Sequence, residues 1–444
     1  LNLMEHNLKL FLKSIGTLCL LVLVFAFTLP AFIKSSNGSG PGVTLIPSEK
    51  FYVNSFVDCN MAEAWIGDTL RIFPGKYGED PLWGDSRNLK FADGRSADEA
   101  FKTQPTGFKE PLLPPNVKPL NAGLHGAIWF ETVYQDSGDQ SGKTLYAVYH
   151  NENYPVTFPY DPASGNGYID KDWPQGLTGA ATPAAVCRIG IMKSTNGGRS
   201  WVDKGIFIED KQARMILRPN NTSVTFAGGV GDPSAVASNG YLYLFYGEYG
   251  YAGAYSASTY NTETERKGQC ISVARINLSD LDYPAGKAMR WSGKNFDIPY
   301  DGIGNPIAKL QISPANGGGP ASNPASKFYW GPSVSWNTYL HCWVMLMAKA
   351  EGPSWKGSSV YISFNKNQDL GRGNNSQQWS VPKLLLDKPG HIVWYPSLQP
   401  TQSAEDIKNK NTCVKLGREA RLFLKDQFKD SSYYFSEYKL KFEM

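Results

Sequence analysis

An all-β fold is predicted from three observations. Short phrases recur as Gly231-Asp232-Pro233-Ser234, Trp330-Gly331-Pro332-Ser333 and Trp394-Tyr395-Pro396-Ser397, and the first two run into apolar strand patterns. Turn formers and aromatic rings abound, with Gly 44, Pro 29, Trp 12, Tyr 24 and Phe 22 in 444 residues, as tight turns and pleated surfaces require. The body carries no long tract rich in Ala, Glu, Lys and Leu. A phrase repeated at the same point of successive units marks a repeat architecture. The predicted fold is a five-bladed β-propeller of four-stranded antiparallel blades, occupying residues 51–444 as a single domain.

The elements follow in order. Lys9 and Lys13 precede an apolar run from Ile15 to Phe32 and then Lys34, so residues 1–34 read as an export signal, either a cleaved signal peptide or a membrane anchor. Residues 35–50, rich in Ser, Gly and Pro at their start, read as a linker. Period-two alternation between turn clusters then sets out the blades. Unit one has strands at Met61–Ile66, Thr69–Phe73 and Ser86–Phe91, a helical turn at Ala97–Phe101, and a Pro-rich connection over Lys109–Pro119. Unit two reads Ala127–Tyr134, Thr144–His150, Ala185–Ser194 and Trp201–Ile208. Unit three reads Asp232–Ala237, Tyr241–Tyr246, Cys270–Ile276 and Met289–Phe296, and unit four Pro332–Trp336, Cys342–Ala348, Ser359–Phe364 and Trp379–Leu386. Unit five offers Tyr395–Gln399, Arg421–Lys425 and Tyr433–Leu440, one strand short, and Leu45–Val53 from the other end of the chain is the expected donor. Long loops at Asn151–Thr182 and Gly247–Gly268 follow the second strands, where binding groups tend to lie.

Charge and cysteine content narrow the function classes. A net charge of only +4, part of it in the basic amino terminus, argues against nucleic acid as a partner. Membrane contact is expected only through the N-terminal segment if it is uncleaved, and localisation is read as secreted, periplasmic or cell-surface. Cys59, Cys187, Cys270, Cys342 and Cys413 are widely spaced with no Cys-x-x-Cys pair, which excludes a disulfide framework and a cysteine metal cluster. The histidines are too scattered for a zinc motif, so no cofactor is expected beyond a structural calcium or similar ion in the channel.

Ser194-Thr195-Asn196-Gly197-Gly198-Arg199-Ser200-Trp201 fits the pattern Ser-x-Asp-x-Gly-x-Ser/Thr-Trp with Asn196 in place of Asp. It resembles the Asp-box of sialidase-like propellers, where it is a structural hairpin, and Trp201 is expected to pack between blades. The Asp232-Pro233-Ser234 start of unit three, with a Tyr-rich second strand ending in Gly247-Glu248-Tyr249, resembles the five-bladed glycosidases of the arabinanase, xylosidase and fructosidase type. That resemblance implies carboxylates projecting from different blades into a central funnel.

Strand direction sorts the candidates, because the start of each innermost strand and the end of the next emerge on one face. Asp58, Glu152, Asp232 and Glu248 are the predicted catalytic carboxylates, with His125, Trp330, Trp394 and Tyr395 at the same mouth. Glycoside hydrolysis needs an acid to protonate the leaving oxygen and a carboxylate to activate water or attack the sugar. Asp58 is assigned as base, Glu152 or Glu248 as acid, and Asp232 as the residue that orients and tunes the acid. His150, beside Glu152, and Arg87, beside the rival Asp85, complete the substrate-binding set.

The function favoured is an exported glycoside hydrolase on a carbohydrate substrate. A non-catalytic carbohydrate-binding propeller is the first alternative. The second is a sialidase-like enzyme, for which Arg71, Arg87, Arg188 and Arg266 are the available arginines.

Overall fold

A computed structural model describes residues 33–34, 41–48, 59–73, 90–102, 106–107, 127–153, 185–209, 226–249, 269–319, 325–352, 355–371, 376–428 and 431–444. They are mostly β-strand with few helices. β1 (Ile33–Lys34) pairs with β2 (Gly42–Pro47). β3 (Ala62–Ile66), β4 (Thr69–Phe73), β5 (Lys90–Gly94) and β6 (Thr106–Gly107) form a four-stranded antiparallel sheet, with helix α1 (Ala97–Lys102) after β5. The next group is β7 (Ala127–Gln135), β8 (Leu145–Asn153), β9 (Ala185–Ser194) and β10 (Val202–Ile208). Then come β11 (Phe226–Ser238), β12 (Tyr241–Glu248), β13 (Cys270–Asn277), β14 (Met289–Trp291) and β15 (Phe296–Pro299). β11 joins the preceding group by a short parallel pairing with β9, in which Gly229 faces Cys187. Gly229 has φ +97, and a side chain there would collide with the Cys187 backbone.

β16 (Lys327–Asn337), β17 (Cys342–Glu351), β18 (Lys356–Asn365) and β19 (Lys383–Asp387) form the fourth antiparallel group. β20 (Ile392–Pro400), helix α2 (Ala404–Lys408), β21 (Lys415–Leu416), β22 (Glu419–Phe428) and β23 (Ser431–Glu443) complete the chain, with β21 pairing in parallel to β16. The last sheet runs β1-β2-β23-β22-β20, so its fourth strand does come from the amino-terminal side. That strand is Gly42–Pro47, earlier than the expected Leu45–Val53 and inside the segment read as a linker. The innermost strands of units three, four and five begin earlier than expected, so the repeated phrases lie within β11, β16 and β20 and do not open them, and the last strand of unit four is Lys383–Asp387. The last strand of unit three is split into β14 and β15, and the third strand of unit one lies at Lys90–Gly94. The segment read as an export signal, apart from β1, the Lys109–Pro119 connection and most of both long loops fall outside the described residues, among which no helix is long and apolar enough to cross a membrane.

The repeated phrases now have a physical cause. β11, β16 and β20 each break register at the phrase, between Gly231 and Ser234, Trp330 and Ser333, and Trp394 and Ser397. The residue before each proline has a positive φ: Asp232 at 50°, Gly331 at 57° and Tyr395 at 50°. Proline has no N–H to leave unpaired at such a bulge. In β11 and β20 the hydroxyl just beyond the bulge then accepts an amide from the neighbouring innermost strand. Val334 N–H donates to Ser234 Oγ at 2.9 Å and Met61 N–H to Ser397 Oγ at 3.4 Å. β7 does the same without proline, its Thr132 Oγ1 accepting from Ala235 N–H at 3.0 Å. Since buried backbone donors must be paired, these hydroxyls fix how innermost strands lie side by side.

Apolar side chains fill the spaces between neighbouring sheets. Phe73 of β4, Phe130 of β7 and Trp201 meet edge to face, with Trp201 centroids 5.7 and 4.9 Å from the two phenylalanines. Trp201 is positioned by the preceding turn. Ser194 Oγ accepts from Gly198 N–H at 2.8 Å, while Asn196 Oδ1 accepts from Arg199 and Ser200 N–H at 3.1 and 3.0 Å. Gly197 and Gly198 take φ of 72° and 82° there, angles that glycine adopts without strain.

Candidate functional site

The bulges turn polar side chains toward the middle of the ring of innermost strands. Asp232, 1% exposed, enters from β11. Tyr249 Oη donates to its Oδ2 at 2.6 Å and Tyr395 Oη to its Oδ1 at 3.0 Å. His150 Nδ1 lies 3.3 Å from Asp232 Oδ1 and 4.0 Å from Glu131 Oε1. Gly231 makes this closeness feasible, because a Cβ there would stand 2.8 Å from both the His150 ring and the Tyr249 hydroxyl. Glu131 enters from β7, and its Oε2 accepts the Asn60 N–H at 2.7 Å. Asn60 itself reaches across to Pro332 O at 3.2 Å and accepts from Ser397 Oγ at 3.2 Å. All five groups of strands therefore contribute to one buried polar knot.

Burial alone would raise the proton affinity of Asp232. The charge and hydrogen bond of His150, with the Tyr249 and Tyr395 hydroxyls, outweigh it and hold the carboxyl below its ordinary range. Burial in turn pushes the Tyr249 hydroxyl well up, so it stays a donor.

Rings cover the knot. Trp330, Trp355, Trp394 and Tyr395 pack edge to face, Trp330 lying 5.0, 5.9 and 5.1 Å from the other three. Trp330 is 3% exposed and Tyr395 6%, so of the predicted aromatic platforms only Trp394 is half-buried. Trp394 Nε1 donates to Trp355 O at 2.8 Å, and Lys425 Nζ sits 4.4 Å over its ring.

Of the predicted site residues, the structure brings together Asp232, His150 and Tyr395, with Trp330 and Trp394 alongside. Glu248 faces elsewhere. Alternation along β12 places it beside Tyr246, where it forms a fully buried ion pair with Arg290 and accepts from Gly304 N–H at 2.8 Å. Glu152 lies near the end of β8, its backbone opposite Ala127 and Cys187. Asp58, Arg87 and His125 lie outside the described residues, as do Asp85 and Arg266. Arg71 binds Asp93 at 2.6 Å, and Arg188 binds Asn151 at 2.8 Å, so these two arginines serve separate partners. Cys59, Cys187, Cys270, Cys342 and Cys413 are buried thiols.

Glu131, Asn60 and Tyr249 were not among the sequence candidates. The one available signal for Glu131 was a lone charge inside the aromatic run Ile128-Trp129-Phe130-Glu131-Thr132. Glu131, His150 and Asp232 each offer a ligand atom within 4.8 Å of the others; the two carboxylates suit a hard cation if water completes the shell, whereas the imidazole suits a transition metal.

No family model and no curated protein matches the chain. Among solved structures it is similar to a native arabinanase from Bacillus subtilis, at 10% identity over 88% of this chain and 95% of that one, TM-score 0.43. It is similar to an α-L-arabinanase of Penicillium chrysogenum complexed with arabinobiose, at 10% identity over 90% and 98%, TM-score 0.46. A catalytic domain of a Coprinopsis cinerea α-L-arabinofuranosidase shares 12% identity over 94% and 98%, TM-score 0.41. With TM-scores below 0.5, these likenesses carry no functional weight; the side chains at the ring centre do.

Proposed function

We propose that the chain is an exported five-bladed β-propeller glycoside hydrolase whose site is the mouth around Asp232. The observation that carries this reading is the Asp232 carboxylate, kept charged in a buried place by two tyrosine hydroxyls and His150, beneath a wall of tryptophans. Such a fixed charge suits the role of orienting and tuning a neighbouring acid. Glu131 and Asp232 act as one unit. Each has an oxygen within 4.8 Å of the other, and the His150 ring reaches both, at 4.0 Å and 3.3 Å. The base and acid are then Asp58 and Glu152, as the strand order assigns them. Glu248, committed to Arg290, is withdrawn as the acid. A calcium ion held by the Glu131 and Asp232 carboxylates belongs to the same proposal, as does export by the N-terminal segment, with the mature protein secreted, periplasmic or on the cell surface.

One observation favours a second reading, a carbohydrate-binding propeller without catalysis. Glu131 and Asp232 are each 1% exposed and already hydrogen-bonded within the protein. Reducing-sugar release from a panel of polysaccharides and aryl glycosides separates the two. Hydrolysis lost in both Asp232→Asn and Glu152→Gln establishes the enzyme; glycan binding with no hydrolysis by the unmodified chain establishes the binder.

A further inference from the structure

The inner strands that bring Asp232 to one mouth carry a cavity of about 730 Å³ at their other ends. It is walled by Val133 to Gln135 of β7, Ala235 to Ser238 of β11, Trp336 of β16 and Glu63 of β3, and closed by the segment from Lys410 to Lys415. The lining runs along β11 from Ala235 out to Ser238 and includes none of Asp232, Glu131, His150, Tyr249 and Tyr395, so this cavity opens at the other end of the strands from the mouth described above.

Its chemistry is mixed in a particular way. Tyr134 and Trp336 present partly exposed rings, and Trp336 is braced edge to face on Trp343 at 5.1 Å. Asn239 and Gln368 bring exposed amides, groups that donate and accept as a sugar hydroxyl does. The charges on the lining balance: Asp369 stands against Lys415, Lys410 already pairs with Asp68 at 2.8 Å, and burial keeps the proton on Glu63. No single-signed field is left to select an ion. The volume falls in the range of small-molecule sites, roughly 300–1,000 Å³.

We propose that this opposite mouth is a second binding site, for a neutral, hydroxyl-rich ring compound such as a mono- or disaccharide. A ring face would lie on Trp336 or Tyr134 while its hydroxyls exchange hydrogen bonds with the two amides. The site is independent of whether the first mouth is catalytic.

The test is saturation-transfer NMR and calorimetry with glucose, galactose, xylose, arabinose and their disaccharides, on the unmodified chain and three variants. Ala237→Trp fills the cavity from an exposed position, Trp336→Ala removes the platform, and Asp232→Asn alters only the first mouth. The expected result is binding of at least one probe that weakens tenfold or more in Ala237→Trp and in Trp336→Ala and persists in Asp232→Asn. Silence from every probe overturns the proposal. So does binding that Ala237→Trp leaves intact, since the sugar then sits elsewhere; this arm does not depend on Trp336→Ala folding.

Discussion

The Tyr395 hydroxyl donates to Asp232 Oδ1 at 3.0 Å across 163 residues of sequence. Both residues have positive φ, 50° in each case, an angle that is uncommon for aspartate and costly for tyrosine. The strain is held by the bulges on either side, and the bond joins the third group of strands to the fifth. Tyr395→Phe leaves the ring packing and removes one donor to a charged acceptor, worth about 1.5–3 kcal/mol. Urea unfolding is expected to show that loss of stability. If the mouth is catalytic, kcat/KM on an aryl glycoside falls by about 10–100-fold.

Ser397→Ala tests the stitching of the ring. The Met61 N–H and Asn60 Oδ1 both lose a partner, so a midpoint shift equivalent to about 1–3 kcal/mol is expected. A shift no larger than that of Ser358→Ala, whose hydroxyl sits in an exposed pair with Asp387, would rule the stitching out.

Glu63 should make the fold weaken as pH rises. Burial raises its carboxyl to about 8, against the lowering effects of the Cys413 amide and Arg421. A raised carboxyl binds its proton more tightly in the native state, so the stability it contributes is present below about 4.5 and lost as pH rises through about 8. The slope approaches roughly 1.4 kcal/mol per pH unit between those values. The hydrogen bonds agree with a protonated group, because the Gln399 amide oxygen then accepts from Glu63 while its Nε2 donates to Met61 O at 3.3 Å. An ionised Glu63 would need that amide turned over, its nitrogen then 2.8 and 2.9 Å from the two carboxylate oxygens. Melting curves from pH 5 to 8 should fall for the native chain and stay flatter for Glu63→Gln.

Glu248→Gln should damage folding. Arg290 is wholly buried, and removing its counter-charge costs roughly 3–5 kcal/mol. A folded, fully stable Glu248→Gln that has lost hydrolysis would instead return Glu248 to the role of acid.

Calcium should raise the melting temperature and chelation lower it, with the difference abolished in Glu131→Gln. At a calcium level 100 times the dissociation constant the gain is about 2.7 kcal/mol. An identical melting curve with calcium and with chelator removes the ion from the proposal.

Strand positions were legible because alternation and turns are local. β4 and β9 begin and end at the predicted residues. The site was legible only in part. Strict alternation would turn Glu131 and Phe130 to opposite faces; the register break between Phe130 and Thr132 redirects the glutamate inward, and without a proline that bulge has no sequence sign. Glu248 misled for the reverse reason. Its place at a strand end was read correctly, but its partner Arg290 lies 42 residues later, on another strand, and no local pattern announces it.

The pairing of β2 with β23 has a consequence for biogenesis. Gly42 meets Glu443 and Pro47 meets Tyr438, so the earlier of the two strands finds its place only after the later one has been made. Until then its backbone is an open edge, able to recruit any strand it meets. A protease cutting between Pro47 and Ala62 would leave β2 held to β23 by non-covalent contacts alone, so that departure of the freed strand would expose a sticky edge.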